Sequence, residues 1–332
     1  MIDDHSELKI PFRQDKPLDL GAVFVPLRVT DAPESSETID AYSALTKYRK
    51  LVVKGSPGSG KSILLRHIAL TYARRQQSRW GKVSVPILVE LNRLNDPAVK
   101  LRTELTRELS TKGFPKPDYF LTRRLERGGL LLLLDGLDEI SVTQRSGVAR
   151  QIRDLAKEFP TVRLVVSCRT QVYNRELDSL VAGTLEIQSF TDQQIRTFLR
   201  SWAPDMRLHG KSVDQLMKAL LERPAIMSLA RNPLMLTIIA WLYTDTIMVL
   251  PQSRSEFYST ATRLLLYDWK PETNTFDLVT KQLILWSSAG PVRNAVGLQH
   301  PPDAVCSEWA VPERLPWLLS APSFVRRDSA TP

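Results

Sequence analysis

Gly55-Ser56-Pro57-Gly58-Ser59-Gly60-Lys61-Ser62 matches the spacing G-x-x-x-x-G-K-[S/T], and its flanks decide what the match means. Before it stands the short apolar run Leu51-Val52-Val53; after it Ile63, Leu64, His67, Ile68 and Tyr72 recur at helical spacing. A strand, a glycine-rich turn and a helix in this order build a phosphate cradle. Glycines at 55, 58 and 60 admit backbone conformations and a close approach that a Cβ forbids, so successive N–H groups can turn inward around an anion. The helix opening at Gly60 adds its positive end. Residues 55–63, through Ile63, are the expected nucleotide-binding stretch, with Lys61 reaching the β- and γ-phosphates and Ser62 offering its hydroxyl to Mg2+.

Outward from this loop, short apolar runs alternate with helical periodicity, the signature of parallel βαβ units. Residues 83–91 (VSVPILVEL) read as a second strand, with Pro86 arguing for an edge or a strand start rather than its middle. Leu130 to Leu134 is five leucines between Gly128-Gly129 and Asp135, the pattern of a strand buried on both faces. Residues 162–167 and 184–187 supply two more strands, and Val148, Ile152, Leu155 and Phe159 a helical face before them. From Phe190 the texture turns all-helical. Thr191 with Gln194 has the capping-box spacing ahead of Ile195, Phe198, Leu199 and Trp202, and Asn232 with Pro233 marks another helix start. The expected fold is α/β, a P-loop-type parallel sheet sandwiched by helices and followed by a small all-helical domain. The expected division is a lead-in at 1–45 with at most one strand, the sheet at 46–189, helices at 190–285 and an irregular tail at 286–332. Residues 291–332 hold seven of the 22 prolines.

Three sequence elements carry the remaining chemistry. Asp135, at the end of the leucine strand, is placed to hold Mg2+. Asp138 and Glu139 follow at once, and three carboxylates in five residues suggest a shared cation; either of the later two would orient or deprotonate a water, or simply suit the start of the next helix. Arg169 closes Leu164-Val165-Val166-Ser167-Cys168-Arg169 and would reach a γ-phosphate from a strand end, unless it is an ordinary surface arginine. Cys168 reads as buried and inert.

Composition narrows the classes. Of 332 residues 43% are hydrophobic, enough for a sizeable core. Two cysteines cannot build a disulfide framework, and four scattered histidines lack zinc-ligand spacing. The N-terminal MIDDHSELKI is acidic and polar, unlike a signal peptide, and the apolar stretch 225–250 is broken by Arg231, Asn232, Pro233 and Asp245. A cytoplasmic protein with no membrane span is expected. The formal net charge is +9, and residues 61–125 carry fourteen Lys or Arg against five Asp or Glu, a surplus of the same size. That segment is either a solvated face around a phosphate site or a basic docking surface for an acidic partner such as nucleic acid or an anionic membrane.

With these motifs in place, the chain resembles the NACHT family of signal-transduction P-loop NTPases, within the STAND class, and its bacterial members especially. The resemblance rests on LVVKGSPGSGKS (51–62), LLLLLDGLDEI (130–140), LVVSCRT (164–170), LEIQSFTDQQIRTFLRSW (185–202), LARNPLMLTIIAWLY (229–243) and LPQSRSEFYSTATRLLLYDW (250–269), in family order across residues 20–285. It implies one strand inserted between those carrying Lys61 and Asp135, and a helical domain closing over the nucleotide. It also implies Asp135 holding Mg2+ through water, Asp138 or Glu139 supporting hydrolysis, Arg169 sensing the γ-phosphate and Pro233 packing near the base. ATP is the expected nucleotide; no N-K-x-D or T-K-x-D motif favours GTP. The implied function is a slowly hydrolysing ATP switch that forms homo-oligomers on activation and engages a protein effector in defence signalling. A catalytically weak nucleotide-binding scaffold and a nucleic-acid-stimulated ATPase are the alternatives. The family's winged-helix segment and histidine sensor would follow residue 285, where His300 lies in no matching motif, and neither effector domain nor sensor repeats are expected in this sequence.

Overall fold

The computed structural model describes residues 7–10, 13–30, 38–74, 85–245 and 250–267. The chain divides into two units, Met1–Glu272 and Thr273–Pro332; the second, with the expected tail, His300 and Cys306, lies outside the described residues.

The chain opens with an antiparallel ribbon of β1 (Glu7–Ile10) and β2 (Arg13–Asp19). Asp19 then caps the one-turn helix α1 (Leu20–Val23) by accepting from the Ala22 N–H. Next come β3 (Arg28–Thr30), β4 (Thr38–Asp40), α2 (Ala41–Lys47), β5 (Lys50–Gly55), α3 (Lys61–Ala73) and β6 (Val85–Glu90). Helices α4 (Leu101–Thr111) and α5 (Pro117–Arg127) lead to β7 (Leu130–Asp135), and α6 (Val142–Glu158) leads to β8 (Arg163–Arg169) and β9 (Gly183–Ile187). After β9 the described residues are all-helical: α7 (Asp192–Arg200), α8 (Ala203–Leu208), α9 (Val213–Leu221), α10 (Pro224–Ala230), α11 (Pro233–Asp245) and α12 (Arg254–Tyr267).

Seven strands form one sheet in the order β4-β3-β9-β5-β8-β7-β6. Pairings among β9, β5, β8, β7 and β6 are parallel, and β8 lies between β5, which leads to Lys61, and β7, which ends in Asp135. The inserted strand implied by the family resemblance is therefore present. Pro86 sits in β6 at the sheet edge, where a missing N–H costs no ladder bond. The lead-in corrects the expectation of at most one strand. Beyond the ribbon it adds β3 and β4 to the sheet, β3 running antiparallel to β9 with Val29 opposite Ile187. The apolar run Ala22 to Val25 is not a strand; it contributes to α1 and its C-cap. Three-residue strands carry too little periodicity to be read locally, and β3 is held by a partner far along the chain.

The five leucines of β7 are all 2% exposed or less, and alternation explains why all are leucine. Leu131 and Leu133 join a core with α3, Val165 of β8 and the helices after β9, whereas Leu130, Leu132 and Leu134 join a second core with α4, α5 and α6. Each face is thus covered, and each leucine contributes roughly 1.5–3 kcal/mol by leaving water. The capping box at Thr191 and Gln194 is formed, with each side chain bonded to the other's backbone N–H. Among the described residues no single helix is long and apolar enough to cross a membrane; the apolar pair α10 and α11 bends by 118° at its break.

The lead-in is stapled to α3 by an aromatic cluster. Phe24 stacks on His67 with ring centroids 3.8 Å apart, and the Tyr42 hydroxyl bonds His67 Nδ1. Burial, helped by the nearby Arg74 charge, holds the His67 pKa down to about 4, so the folded ring is neutral and shares one hydrogen bond with Tyr42 through its Nδ1. The unfolded ring titrates near 6.5. Between these values the unfolded chain takes up a proton that the folded chain refuses, so stability falls as pH drops through that window. Urea unfolding of wild type and His67→Leu at neutral and mildly acid pH should show this segment of the dependence in the wild type alone; equal pH dependence in both would refute it.

Candidate functional site

Register brings the carboxyl ends of the parallel strands level. Gly55 lies beside Arg169, Glu90 beside Asp135 and Lys54 beside Glu186. Apolar residues run out together here, so polar side chains gather in the crevice beyond the strand ends.

From β5 the chain turns through residues 56–60 into α3. Ser56 is exposed, Pro57, Ser62 and Ile63 are half-buried, and Ser59 is buried against Gly55, where a Cβ would come within 2.5 Å of its Oγ. Gly58 holds φ +72, and a Cβ there would lie 2.8 Å from Asn232 Oδ1 and from Leu234 Cβ, so only glycine fits. Gly60 is the N-cap of α3 and no side chain caps this helix, which leaves its first-turn N–H groups suited to an anion. Lys61 Nζ donates to the carbonyls of Gly55 (2.9 Å) and Ser56 (3.1 Å), folding over its own loop. Burial lowers its pKa, while the charges of Asp138 and Asp135 oppose that shift.

Asp135 is the best-anchored carboxylate. Ser167 Oγ donates to its Oδ1 at 2.5 Å and itself accepts from the Gly136 N–H at 2.8 Å, and the Ser62 side chain bonds the same carboxylate. Burial raises the Asp135 pKa and the two hydroxyl bonds pull it back. Gly136, at φ +82, then swings the chain into a single 3-10 turn, Leu137–Glu139; a Cβ on it would lie 2.9 Å from Glu139 Cδ, so the Glu139 side chain packs directly over the glycine. Burial raises the Glu139 pKa, and the negative charges of Asp135, Asp138 and Glu90 raise it further.

The turn aims Asp138 elsewhere. Its Oδ2 meets Arg169 Nε at 2.7 Å, and its Oδ1 accepts the Arg169 backbone N–H at 3.0 Å, with the Asp138 side chain only 6% exposed. The expectation that three carboxylates share one cation is therefore not met: among the described residues no group of three His, Cys, Asp or Glu is arranged to hold a metal. The 3-10 turn separates them, sending Asp138 to an arginine and Glu139 over Gly136. What remains is Ser62 and Asp135 in contact, two hard oxygen donors. Mg2+ takes one or two protein oxygens and completes its shell with phosphate oxygens and water, so this pair fits it beside a phosphate loop.

Pro233 opens α11, as its pairing with Asn232 implied, but its neighbours make the contacts with the loop. Asn232 Nδ2 donates to the Pro57 carbonyl at 2.8 Å, and the Leu234 N–H lies 3.3 Å from the Gly58 carbonyl. Sequence reasoning missed these contacts, and it missed Ser167, whose hydroxyl ties Asp135 to Gly136. The only local signal was a polar residue interrupting an apolar strand. Cys168 is buried, and burial together with the Asp138 and Glu176 charges pushes its thiol up to about 12, as expected for an inert cysteine. The basic segment is partly neutralised within itself: Glu104 holds Arg93 and Arg107, Glu108 holds Lys112, and Glu90 lies 3.7 Å from Arg66. Arg75, Arg79 and Lys82 lie outside the described residues.

Comparison with solved structures gives low-identity likenesses. Caenorhabditis elegans PCH-2 is 13% identical with a TM-score of 0.41, covering 65% of this chain and 62% of that one, so the chain spans less than two thirds of it. A Walker-type ATPase of Pyrococcus abyssi is 14% identical with a TM-score of 0.43, covering 74% and 71%. The Thermotoga maritima RuvB Holliday junction branch migration motor is 13% identical with a TM-score of 0.33, covering 66% and 68%. No curated protein sequence matches the chain. Residues 49–206 match the family profile described as the NACHT domain, which spans the phosphate loop, Asp135, Asp138 and Arg169. Over residues 49–206 this chain carries a NACHT domain, a nucleotide-binding module of the P-loop NTPase class.

Proposed function

We propose that the chain is an ATP-binding switch in which Arg169 exchanges partners between Asp138 and the nucleotide's terminal phosphate. The observation that carries this reading is the Asp138–Arg169 pair at the mouth of the phosphate loop. An arginine held by a carboxylate can be drawn off only by an anion that offers more, and a γ-phosphate offers bidentate, charge-assisted bonding where a diphosphate offers none at that position. Lys61, released from its loop carbonyls, reaches the β- and γ-phosphates. Ser62 and Asp135 would hold Mg2+, which when bound would neutralise phosphate charge. Asp138, freed from Arg169, or Glu139, whose burial and negative neighbours make its carboxylate the stronger base, orients and deprotonates a water. Hydrolysis removes the anion that holds Arg169, and the ion pair re-forms.

In this reading turnover is slow, because Asp138 serves the resting pair as well as the reaction. Self-association in the triphosphate state, a protein effector and a role in defence signalling in the cytoplasm follow from the family resemblance and belong to the proposal. A second reading is favoured by the same ion pair: if Arg169 never leaves Asp138, the chain is a nucleotide-binding scaffold without turnover. Phosphate release under single-turnover conditions separates the two.

Two measurements test the site. Nucleotide released by denaturing purified protein and identified by chromatography should be ATP or ADP for the wild type and absent for Lys61→Ala, whose affinity should fall about a hundredfold, the factor given by roughly 3 kcal/mol of lost charge-assisted bonding. Unchanged binding in Lys61→Ala would remove the loop assignment. Calorimetric titration of Arg169→Leu with ATP and ADP should show the preference for ATP collapsing toward equality while ADP affinity holds; a retained preference would mean that Arg169 does not read the γ-phosphate.

A further inference from the structure

The corner between α10 and α11 is bolted at two points. On one side Arg231 accepts the Phe190 N–H at its carbonyl (2.9 Å), while its guanidinium donates to the Phe190 carbonyl and to Asp192, both at 2.8 Å, tying the corner to the segment that follows β9. On the other side Asn232 Nδ2 reaches the Pro57 carbonyl (2.8 Å) and the Leu234 N–H faces the Gly58 carbonyl (3.3 Å). The Asn232 side chain works in both directions: its Oδ1 accepts from the N–H groups of Leu234 (3.0 Å) and Met235 (3.3 Å), capping α11, while its amide donates to the phosphate loop. Serine or aspartate would provide the cap alone: aspartate has no N–H to give to Pro57, and a serine hydroxyl is too short to reach it.

We infer that Asn232 is a positioning residue for nucleotide binding, one that sets the phosphate loop from the helical side; the inference rests on the proposed nucleotide site. A trans peptide plane points its carbonyl and its N–H in opposite directions. With the Pro57 carbonyl fastened to Asn232, the Gly58 N–H of the same peptide plane is turned the opposite way, away from the Asn232 amide, so its direction within the phosphate loop is fixed. Gly58 cannot shift toward Asn232 or Leu234 without the contacts that exclude a Cβ there. The loop is thereby ordered before phosphate arrives, and phosphate binding in turn tightens the first turn of α11, since coupling between two sites is reciprocal.

The test uses the full chain titrated with ATP and with ADP in the presence of Mg2+. Asn232→Ser keeps a neutral cap oxygen for α11 but is too short to reach Pro57. It should melt near the wild type without nucleotide yet bind ATP about tenfold more weakly, the factor expected from one lost hydrogen bond of about 1.4 kcal/mol. In the wild type, ATP should slow hydrogen exchange at the amides of Leu234 and Met235; in Asn232→Ser that slowing should vanish, a readout that a purely structural cap would not move. Equal affinity and equal slowing in both proteins overturn the inference while leaving the nucleotide site intact. A wild type that takes up neither nucleotide overturns the proposed function, and this inference with it. Should Asn232→Ser fail to fold, Asn232→Thr, which keeps a neutral cap oxygen and is likewise too short to reach Pro57, carries the same expectation and the same refutation.

Discussion

A strand buried on both faces can carry polar side chains only at its ends, and the site follows from that constraint. In β7 five leucines leave no room for a charge until residue 135, and its neighbour β8 is apolar from Leu164 to Val166, then carries Ser167 and ends in Arg169. Parallel register puts these endings at one level, so Asp135, Ser167 and Arg169 meet because the cores on either side of the sheet exclude them from everywhere else. Covering both faces needs helices on both, and those helices contribute the phosphate loop's own α3 on one side and the α4–α6 layer on the other.

Charge at this level is balanced in small closed groups. Lys61 rests on two carbonyls, Asp135 on two hydroxyls, and Asp138 on an arginine. A buried ion loses much of its hydration, and each such contact restores part of it. The same property suits the site to exchange: every partner here is a group that a phosphate or a hydrated cation can replace at little net cost. Glu139 is the exception. Asp135, Asp138 and Glu90 around it outweigh Arg169 and it lies over a glycine, so a proton or a cation would relieve it.

Most of the fold was legible in the sequence, because the determining signals are periodic and local. The leucine run, the G-x-x-x-x-G-K-S spacing between a strand and a helix, and the Thr191–Gln194 capping box each depend on residues within one turn or one strand of each other, and each is realised. Strands β3 and β4 were not legible, since three residues carry no period and β3 is held by β9. The site divides the same way. Lys61, Ser62 and Asp135 follow from motif spacing, whereas the partner of Asp138 depends on where a 3-10 turn aims it. Asn232 was legible as a helix cap, a bond two and three residues away; its bond to Pro57 crosses 175 residues, and nothing in the local pattern records it.

The pairing of β3 with β9 also separates two meanings of the word domain. The stretch recognised by family similarity begins at residue 49, yet the sheet it contains is bordered on one side by strands drawn from residues 28–30 and 38–40. A chain started at 49 would keep every motif and leave β9 with an open row of unpaired backbone groups, the kind of edge along which separate molecules join. Without Phe24 and Tyr42 it would also uncover the ring of His67. The smallest piece that folds as this protein does is therefore longer than the smallest piece that can be recognised, and the difference lies in a segment that carries no motif.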